Sequence, residues 1–469
     1  MKFTRRALAL LGLFVAASAN AEEKAIPTYN KDVAPILFES CATCHRPGES
    51  APFSLLTYAD AKKRGKLIAQ VTHSRQMPPW KADKSDVIFR GERRLKETQI
   101  ATLESWVTAD MPEGDQKDLP KAPVFNDGWP MGKPDLVVKM PKSFKVPAEG
   151  RDVYRNFAVA TGLKEDKWVK AVDFRPSAPS VVHHTLFFLD PTGTAAKKEA
   201  DSGVVGSTGV MGTAGRAGGG GRPGATGNLV NEIGVLTGTG GLGGWTAGAR
   251  PRELPHNLAY KLPKGADIIL STHFHPSGKA EEEASTIALY FADKAPPQKF
   301  TGLQVPFGFG IVAGIDIAAG NKDYVIEDTL TMPVDVRAFG ITAHAHYIAK
   351  EFTVTATLPD AKTKTLLKIS DWDFAWQEQY QFEEFVDLPK GTKVHVKIRY
   401  DNSAENPRNP TSPPKRVRWG RESTDEMGSS TLLVVAAKED EFGKLQEGYS
   451  TYVRDAAIKG ALKRFSEKK

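Results

Sequence analysis

Between residues 28 and 115 apolar side chains recur with a helical period. Val33, Ile36 and Leu37 stand at i, i+3 and i+4, and Ile100, Leu103, Trp106 and Val107 repeat the pattern, so each set lines one face of a 3.6-residue turn. Met77-Pro78-Pro79-Trp80 interrupts them and is expected to be irregular, because consecutive prolines remove two backbone donors. Residues 116–133, rich in Pro, Gly, Asp and Lys, read as a linker. From residue 134 the texture changes to short β-branched and aromatic runs bounded by turn residues, among them 136–138, 168–174, 181–189, 268–274, 286–291, 352–358, 393–400 and 431–435. Runs at that spacing predict antiparallel sandwiches. The tail, 438–469, is charged and helical in period, with Tyr449, Tyr452, Val453, Ala456 and Ile458 as its packing face. The pattern predicts a multidomain chain in which a helical segment precedes one or two antiparallel β-sandwiches.

Composition adds limits. The chain has 469 residues, 40% hydrophobic and 25% charged, which is globular usage and suits about three domains. Its start carries a basic stretch, Met1 to Arg6, an apolar run of 13 residues, Ala7 to Ala19, and small residues in Ala19-Asn20-Ala21. These are the parts of a cleavable signal peptide over 1–21, which places the mature chain in a periplasm or outside the cell. Spanning a bilayer takes about 20 apolar residues, and no stretch reaches that, so stable membrane insertion is not expected. Cleavage removes Lys2, Arg5 and Arg6 and no acid, taking the net charge from +7 to +4. With no basic block, nucleic acid is not expected as a partner.

Of 42 glycines, 18 fall between Gly203 and Gly248, and from Gly203 to Gly227 they keep a period of three. Pro223 is the lone proline of that run, too little imino acid for a collagen helix. The segment reads as a glycine-rich loop, 203–248, with no chemistry of its own.

The two cysteines stand together in Cys41-Ala42-Thr43-Cys44-His45. That spacing is too tight for a framework disulfide and is the attachment signature of haem c: two thiols form thioethers and the adjacent histidine is held as proximal iron ligand. One covalent haem is expected on Cys41, Cys44 and His45, and any fold downstream must stand without disulfides. Met77, in its proline-bounded loop, is the expected sixth ligand, with His73 and Met111 as competitors. A redox disulfide or a zinc site is the other use of a CxxC pair, and zinc would need further ligands nearby.

Eight histidines follow, six of them in three pairs: His183-His184, His273-Phe274-His275 and His344-Ala345-His346. Residues two apart on a strand share a face, so an H-x-H pair can reach one metal; adjacent residues point apart, so His183 and His184 can do so only where the strand bends. Imidazole suits copper, zinc and iron, and a nearby thioether tilts the choice toward reduced copper. His256 and His395, isolated on candidate strands, read as structural.

In order and spacing, His183-His184, His273, His344-Ala345-His346 and Asp425-Glu426-Met427 resemble the metal ligands of the copper type II monooxygenases, the family of peptidylglycine and dopamine β-monooxygenases. The resemblance covers about 134–437 and implies two successive jelly-roll domains, 134–296 and 297–437, each holding one copper, with a solvent cleft between them. His183, His184 and His273 would bind the electron-transfer copper, with His275 as an alternative to His273. His344, His346 and Met427 would bind the copper that activates oxygen. Three family features are missing. Disulfides are absent; Thr342 and Thr431 replace the arginine and tyrosine that clamp a peptide carboxylate; and Ser271 replaces a glutamine two residues before the third histidine.

The expectation is an exported haem c and copper enzyme with two coppers that hydroxylates a C–H bond of a small-molecule substrate with dioxygen. Its electrons would come from a periplasmic donor or an ascorbate-like reductant and reach the coppers through the haem. A non-catalytic electron-transfer or copper-binding protein, and a zinc hydrolase, are the alternatives.

Overall fold

The computed structural model describes residues 26–47, 49, 51–125, 128–207, 241–246, 248–420 and 422–466. The expected signal peptide, and positions 208–240 and 247 of the glycine-rich segment, lie outside the described residues. The chain is mostly β, with twenty strands and five α-helices among the described residues.

Both helical stripes are where the pattern put them. A π-helical turn, Tyr29–Val33, leads into α1 (Ala34–Ser40), and the second stripe lies on α3 (Glu97–Thr108). Val33, Ile36, Leu37, Ile100, Leu103 and Trp106 are buried together in one small core. Between them runs α2 (Tyr58–His73), capped by the Thr57 side chain, which accepts from the Asp60 amide. Its buried positions, Ala61, Gly65, Ile68 and Thr72, keep the helical period but are mostly small, so it leaves little hydrophobic signal in the sequence.

The chain then leaves this core. After the irregular Met77–Trp80 stretch it runs along the second sandwich, where the amides of Asp83 and Arg90 donate to the carbonyls of Lys368 (2.7 Å) and Gln381 (2.8 Å), and Glu383 donates to Ile88 (2.9 Å). Trp80, Ala82 and Phe89 are buried in that sandwich's core. The helical segment and the sandwich are thus joined by a strap.

The first sandwich uses β1 (Leu136–Lys139), β2 (Phe144–Val146), β3 (Val153–Ala160), β4 (Lys167–Arg175), β5 (Val182–Asp190), β6 (Gly241–Thr246), β7 (Tyr260–Leu262), β8 (Asp267–Phe274), β9 (Glu281–Glu283) and β10 (Thr286–Phe291). Its sheets run β1-β10-β4-β7 and β3-β8-β5-β6, with β2-β9 as a short pair. Phe157, Phe174, Phe187, Leu270, Phe274 and Leu289 belong to the core between them. A short helix, α4 (Thr194–Ser202), follows β5.

The second uses β11 (Phe300–Val305), β12 (Asp316–Ile317), β13 (Tyr324–Thr331), β14 (Val336–Ala345), β15 (Ala349–Thr357), β16 (Thr363–Ile369), β17 (Gln379–Leu388), β18 (Lys393–Tyr400), β19 (Val417–Arg418) and β20 (Gly428–Ala436). Its sheets run β11-β20-β14-β17 and β13-β18-β15-β16, with β12-β19 apart. In β18, Val394, Val396, Ile398 and Tyr400 are buried and the residues between them are not, the alternation of a strand with one face on a core.

The tail forms α5 (Phe442–Ser466). Leu445, Tyr449, Val453 and Ala456 are buried, whereas Ile458 is 53% exposed. Two residues past Ala456 is about 200° around the helix, so Ile458 falls off the face assigned to it. His256 is in a single 3-10 turn, Pro255–Asn257, rather than on a strand, and stacks on Phe385 at 3.8 Å. His395 is on β18, 3.0 Å from Thr329 Oγ1. Among the described residues no helix is long and apolar enough to cross a membrane.

Candidate metal centre

A β-bulge overcomes the opposed directions of His183 and His184. Along the β5–β8 ladder Val182 pairs with Phe274 and the next pair is His184 with His273, so His183 is an extra residue that local bending accommodates. The three rings meet at centroid separations of 5.1, 5.0 and 4.9 Å, and a ligand nitrogen of each lies within 4.8 Å of the others. The Nδ1 atoms of His183 and His184 approach to 3.0 Å. His273 Nε2 donates to Asp152 Oδ2 at 2.9 Å, and its Nδ1 is buried without a partner. A ring held by a carboxylate at one nitrogen and vacant at the other could hold a metal. His275 stays outside the triad, 60% exposed, with Nδ1 2.8 Å from Asp152 Oδ1.

The second group forms where β14 ends beside the start of β20. Ala345 pairs with Gly428, which brings His346 and Met427 alongside each other at the mouth of the ladder. Glu426, fully buried, accepts from the amides of His346 (2.5 Å), Met427 (2.8 Å) and Ile348 (3.3 Å). One carboxyl therefore fixes the backbones of both His346 and Met427. Burial pushes Glu426 up to about 8 against those three donors. His344 Nδ1 donates to Gln377 Oε1 at 2.6 Å and His346 Nδ1 to the Asp425 carbonyl at 3.2 Å, so on each ring Nε2 is the nitrogen that could hold a metal.

The two groups are not separated. His184 and His344, one from each sandwich, have ring centroids 6.5 Å apart, so the expected cleft narrows here to a ring contact. Phe374, on the loop before β17, stacks on His183 at 4.4 Å and meets His346 at 5.7 Å. Burial lowers His183 and His346 to about 3 and His344 to about 4, so these rings are neutral at ordinary pH, the state that binds metal. Asp152 goes the other way: burial opposes its charge, but hydrogen bonds from His273, Ser423 and His275 outweigh burial and hold it well below the carboxylate range. A cavity of about 650 Å³ opens onto His183 and His273, walled by Tyr347, Phe374, Trp376 and Arg408. Thr342 and Thr431 face each other directly across β14 and β20.

In the helical segment, Cys41, Cys44 and His45 share the turn that follows α1. His45 Nδ1 donates to the Phe53 carbonyl at 3.1 Å, which leaves Nε2 as its ligand atom and suits a proximal haem ligand. Burial and the neighbouring Cys44 push Cys41 up to about 12. Met77 is half-buried just past α2, its amide on the Val71 carbonyl at 3.0 Å. Of its competitors, His73 is exposed and bonded to Glu104 at 2.6 Å, and Met111 packs over Gly65.

Sequence reasoning missed Asp152, Gln377, Phe374 and Ser423. None is next to a candidate ligand in the chain, and only the fold brings them there.

No family model and no curated protein matches the chain. Similar solved structures include infectious bursal disease virus Gx strain, 7% identical over 69% of this chain and 77% of that chain with a TM-score of 0.17. PNGF-II is 10% identical over 64% and 60%, TM-score 0.22. A two-domain protein of unknown function from Bacteroides fragilis is 9% identical over 61% and 85%, TM-score 0.15. Likenesses this weak carry no argument, and function has to be read from the site.

Proposed function

We propose that the chain is an exported haem c and copper-dependent monooxygenase that hydroxylates a C–H bond of a small-molecule substrate with dioxygen. Its parts would be a cytochrome c-like helical module and two jelly-roll domains related to the copper type II monooxygenases. The observation that carries the reading is the bulge-made triad of His183, His184 and His273, with His273 Nδ1 buried and unpartnered, beside a second pair, His344 and His346, that reaches it through the His184–His344 contact. When bound, haem and copper would supply one-electron transfer and dioxygen activation.

The chain's own residues supply position and environment. Asp152 orients His273, Gln377 orients His344, and Glu426 holds the backbones of His346 and Met427 in one frame. A soft thioether at Met427 favours reduced copper, whereas three imidazoles at the other site serve a centre that only changes oxidation state. Hydroxylation takes up two electrons and two protons per dioxygen, releasing water, so delivery in single steps through a haem held by Cys41, Cys44, His45 and Met77 fits its demand. Thr342 and Thr431 offer hydroxyls and no cation, so a carboxylate substrate has no partner there.

Metal analysis of the purified protein should give one haem iron and two coppers per chain, and the fully reduced protein should be reoxidised rapidly by dioxygen. Met427→Ala should lose that rapid phase and keep the haem spectrum. Zinc in both histidine sites, or a reduced parent protein inert to dioxygen, would overturn the proposal.

A further inference from the structure

The loop between β19 and β20, which leads into Met427, is closed on itself. The Glu426 amide donates to the Arg418 carbonyl at 3.0 Å, Gly420 donates back to the Glu426 carbonyl at 3.2 Å, and Asp425 donates to the Glu422 carbonyl at 2.8 Å. At its base Trp419 Nε1 donates to the Phe309 carbonyl at 3.1 Å, and the Phe309 ring meets His344 at 5.0 Å. At its far end Ser423 is buried between two exposed neighbours, Glu422 and Thr424.

The first sandwich meets the loop at that serine. Ser423 Oγ donates to Asp152 Oδ2, just ahead of β3, and lies 3.3 Å from the Tyr154 hydroxyl on that strand. Asp152 Oδ2 is also the atom that accepts from His273 Nε2 at 2.9 Å, and Tyr154 stacks on the His273 ring at 4.3 Å. One carboxylate oxygen thus joins a ring of the three-histidine group to the loop that frames the other group. The second oxygen is taken by His275 at 2.8 Å. A hydroxyl-to-carboxylate bond is about twice as strong as one between neutral groups, and without it a largely buried carboxylate loses a donor. Two residues past Ser423 the Asp425 carbonyl accepts from His346 Nδ1 at 3.2 Å, and Glu426 holds the amides of His346 and Met427. Movement of Ser423 therefore passes to the groups that set both residues.

We infer that Ser423 is a positioning residue for the second metal site, a latch through which Asp152 of the three-histidine site fixes the loop that presents Met427. The inference rests on the copper reading above. It makes the two sites interdependent: cutting the latch from either sandwich weakens thioether ligation in the second, and the coupling is reciprocal.

The test uses the full-length holoprotein loaded with Cu(I) and read by X-ray absorption, where a thioether gives a copper–sulfur contribution that imidazole does not; Met427→Ala marks its absence. Ser423→Ala should remove most of that contribution and weaken Cu(I) at the second site about tenfold in competition with a chelator. Asp152→Ala should bring the same loss from the other sandwich, which also serves if Ser423→Ala fails to accumulate. The double variant should lose no more at the second site than Asp152→Ala alone, because both changes cut one link. Ser423→Thr keeps the hydroxyl and should restore the signal. Thr329→Ala, which removes a hydroxyl bonded to His395, is the control for stability. A lowered melting temperature with the copper–sulfur contribution unchanged, or additive losses in the double variant, would overturn the latch and leave the copper reading intact. A parent protein with no copper–sulfur contribution, or one that Met427→Ala does not remove, would overturn both.

Discussion

His273 shows how one side chain is left able to hold a metal: Asp152 fixes one nitrogen and burial empties the other of partners. Loss of such an orienting carboxylate typically weakens metal binding 10–100-fold. Asp152→Ala is therefore expected to lower copper affinity at the three-histidine site by about 10–100-fold, read by competition with a chelator; a change below about threefold would refute the role. Asp173 shows burial outweighing a nearby cation. It is 5% exposed, its Oδ2 has no hydrogen-bond partner and Arg175 stays at 3.5 Å, so burial raises its pKa from 3.8 to about 6. In that window the folded chain holds a proton that the unfolded chain has released, so stability is full below pH 3.8 and falls as pH rises through about 6. The loss is about 3 kcal/mol at 1.36 kcal/mol per pH unit. Asp173→Asn should flatten that slope in melting temperature between pH 4 and pH 7; an unchanged slope would reject the assignment. The Cys41–His45 cluster was legible in the sequence, because its members are neighbours in the chain, whereas Asp152 was invisible, because its place beside His273 depends on β3 pairing with β8.

Among the elements, β5 and the strap matter most. Alternation along β5 was readable, but the bulge at His183 was not, since it arises from pairing with a strand more than 80 residues away. The strap is a second case. Pro78 and Pro79 announced an irregular segment, yet nothing local says that Trp80 and Phe89 enter the core of the second sandwich. Removing a buried tryptophan side chain costs about 3–5 kcal/mol. Trp80→Ala should accordingly destabilise the second sandwich by about that amount in urea unfolding, with hydrogen exchange accelerating in β17. Exchange confined to α1–α3 would show that the strap contributes nothing to the sandwich. The α5 register is a smaller instance: charge and period predicted a helix, and packing decided that Leu445 is buried and Ile458 is not.

For the whole molecule, the contact between His184 and His344 has the largest consequence. If both histidine groups hold Cu(II), unpaired spins at that separation should couple. The paramagnetic resonance signal of the fully loaded protein is expected to integrate to well below its copper content, while a His344→Ala variant retaining one copper should integrate fully. Two independent, full-intensity signals would mean that the sandwiches stand apart in solution. By itself the sequence determined the helical stripes, the strand-rich region, the Cys-x-x-Cys-His spacing and the identity of the histidines, because these follow from residue type and from periods of two and 3.6. Only the tertiary structure decided that His183 and His184 face one way and that five imidazoles form one group. Those facts depend on register and on contacts between distant segments, where position in the chain carries no information about position in space.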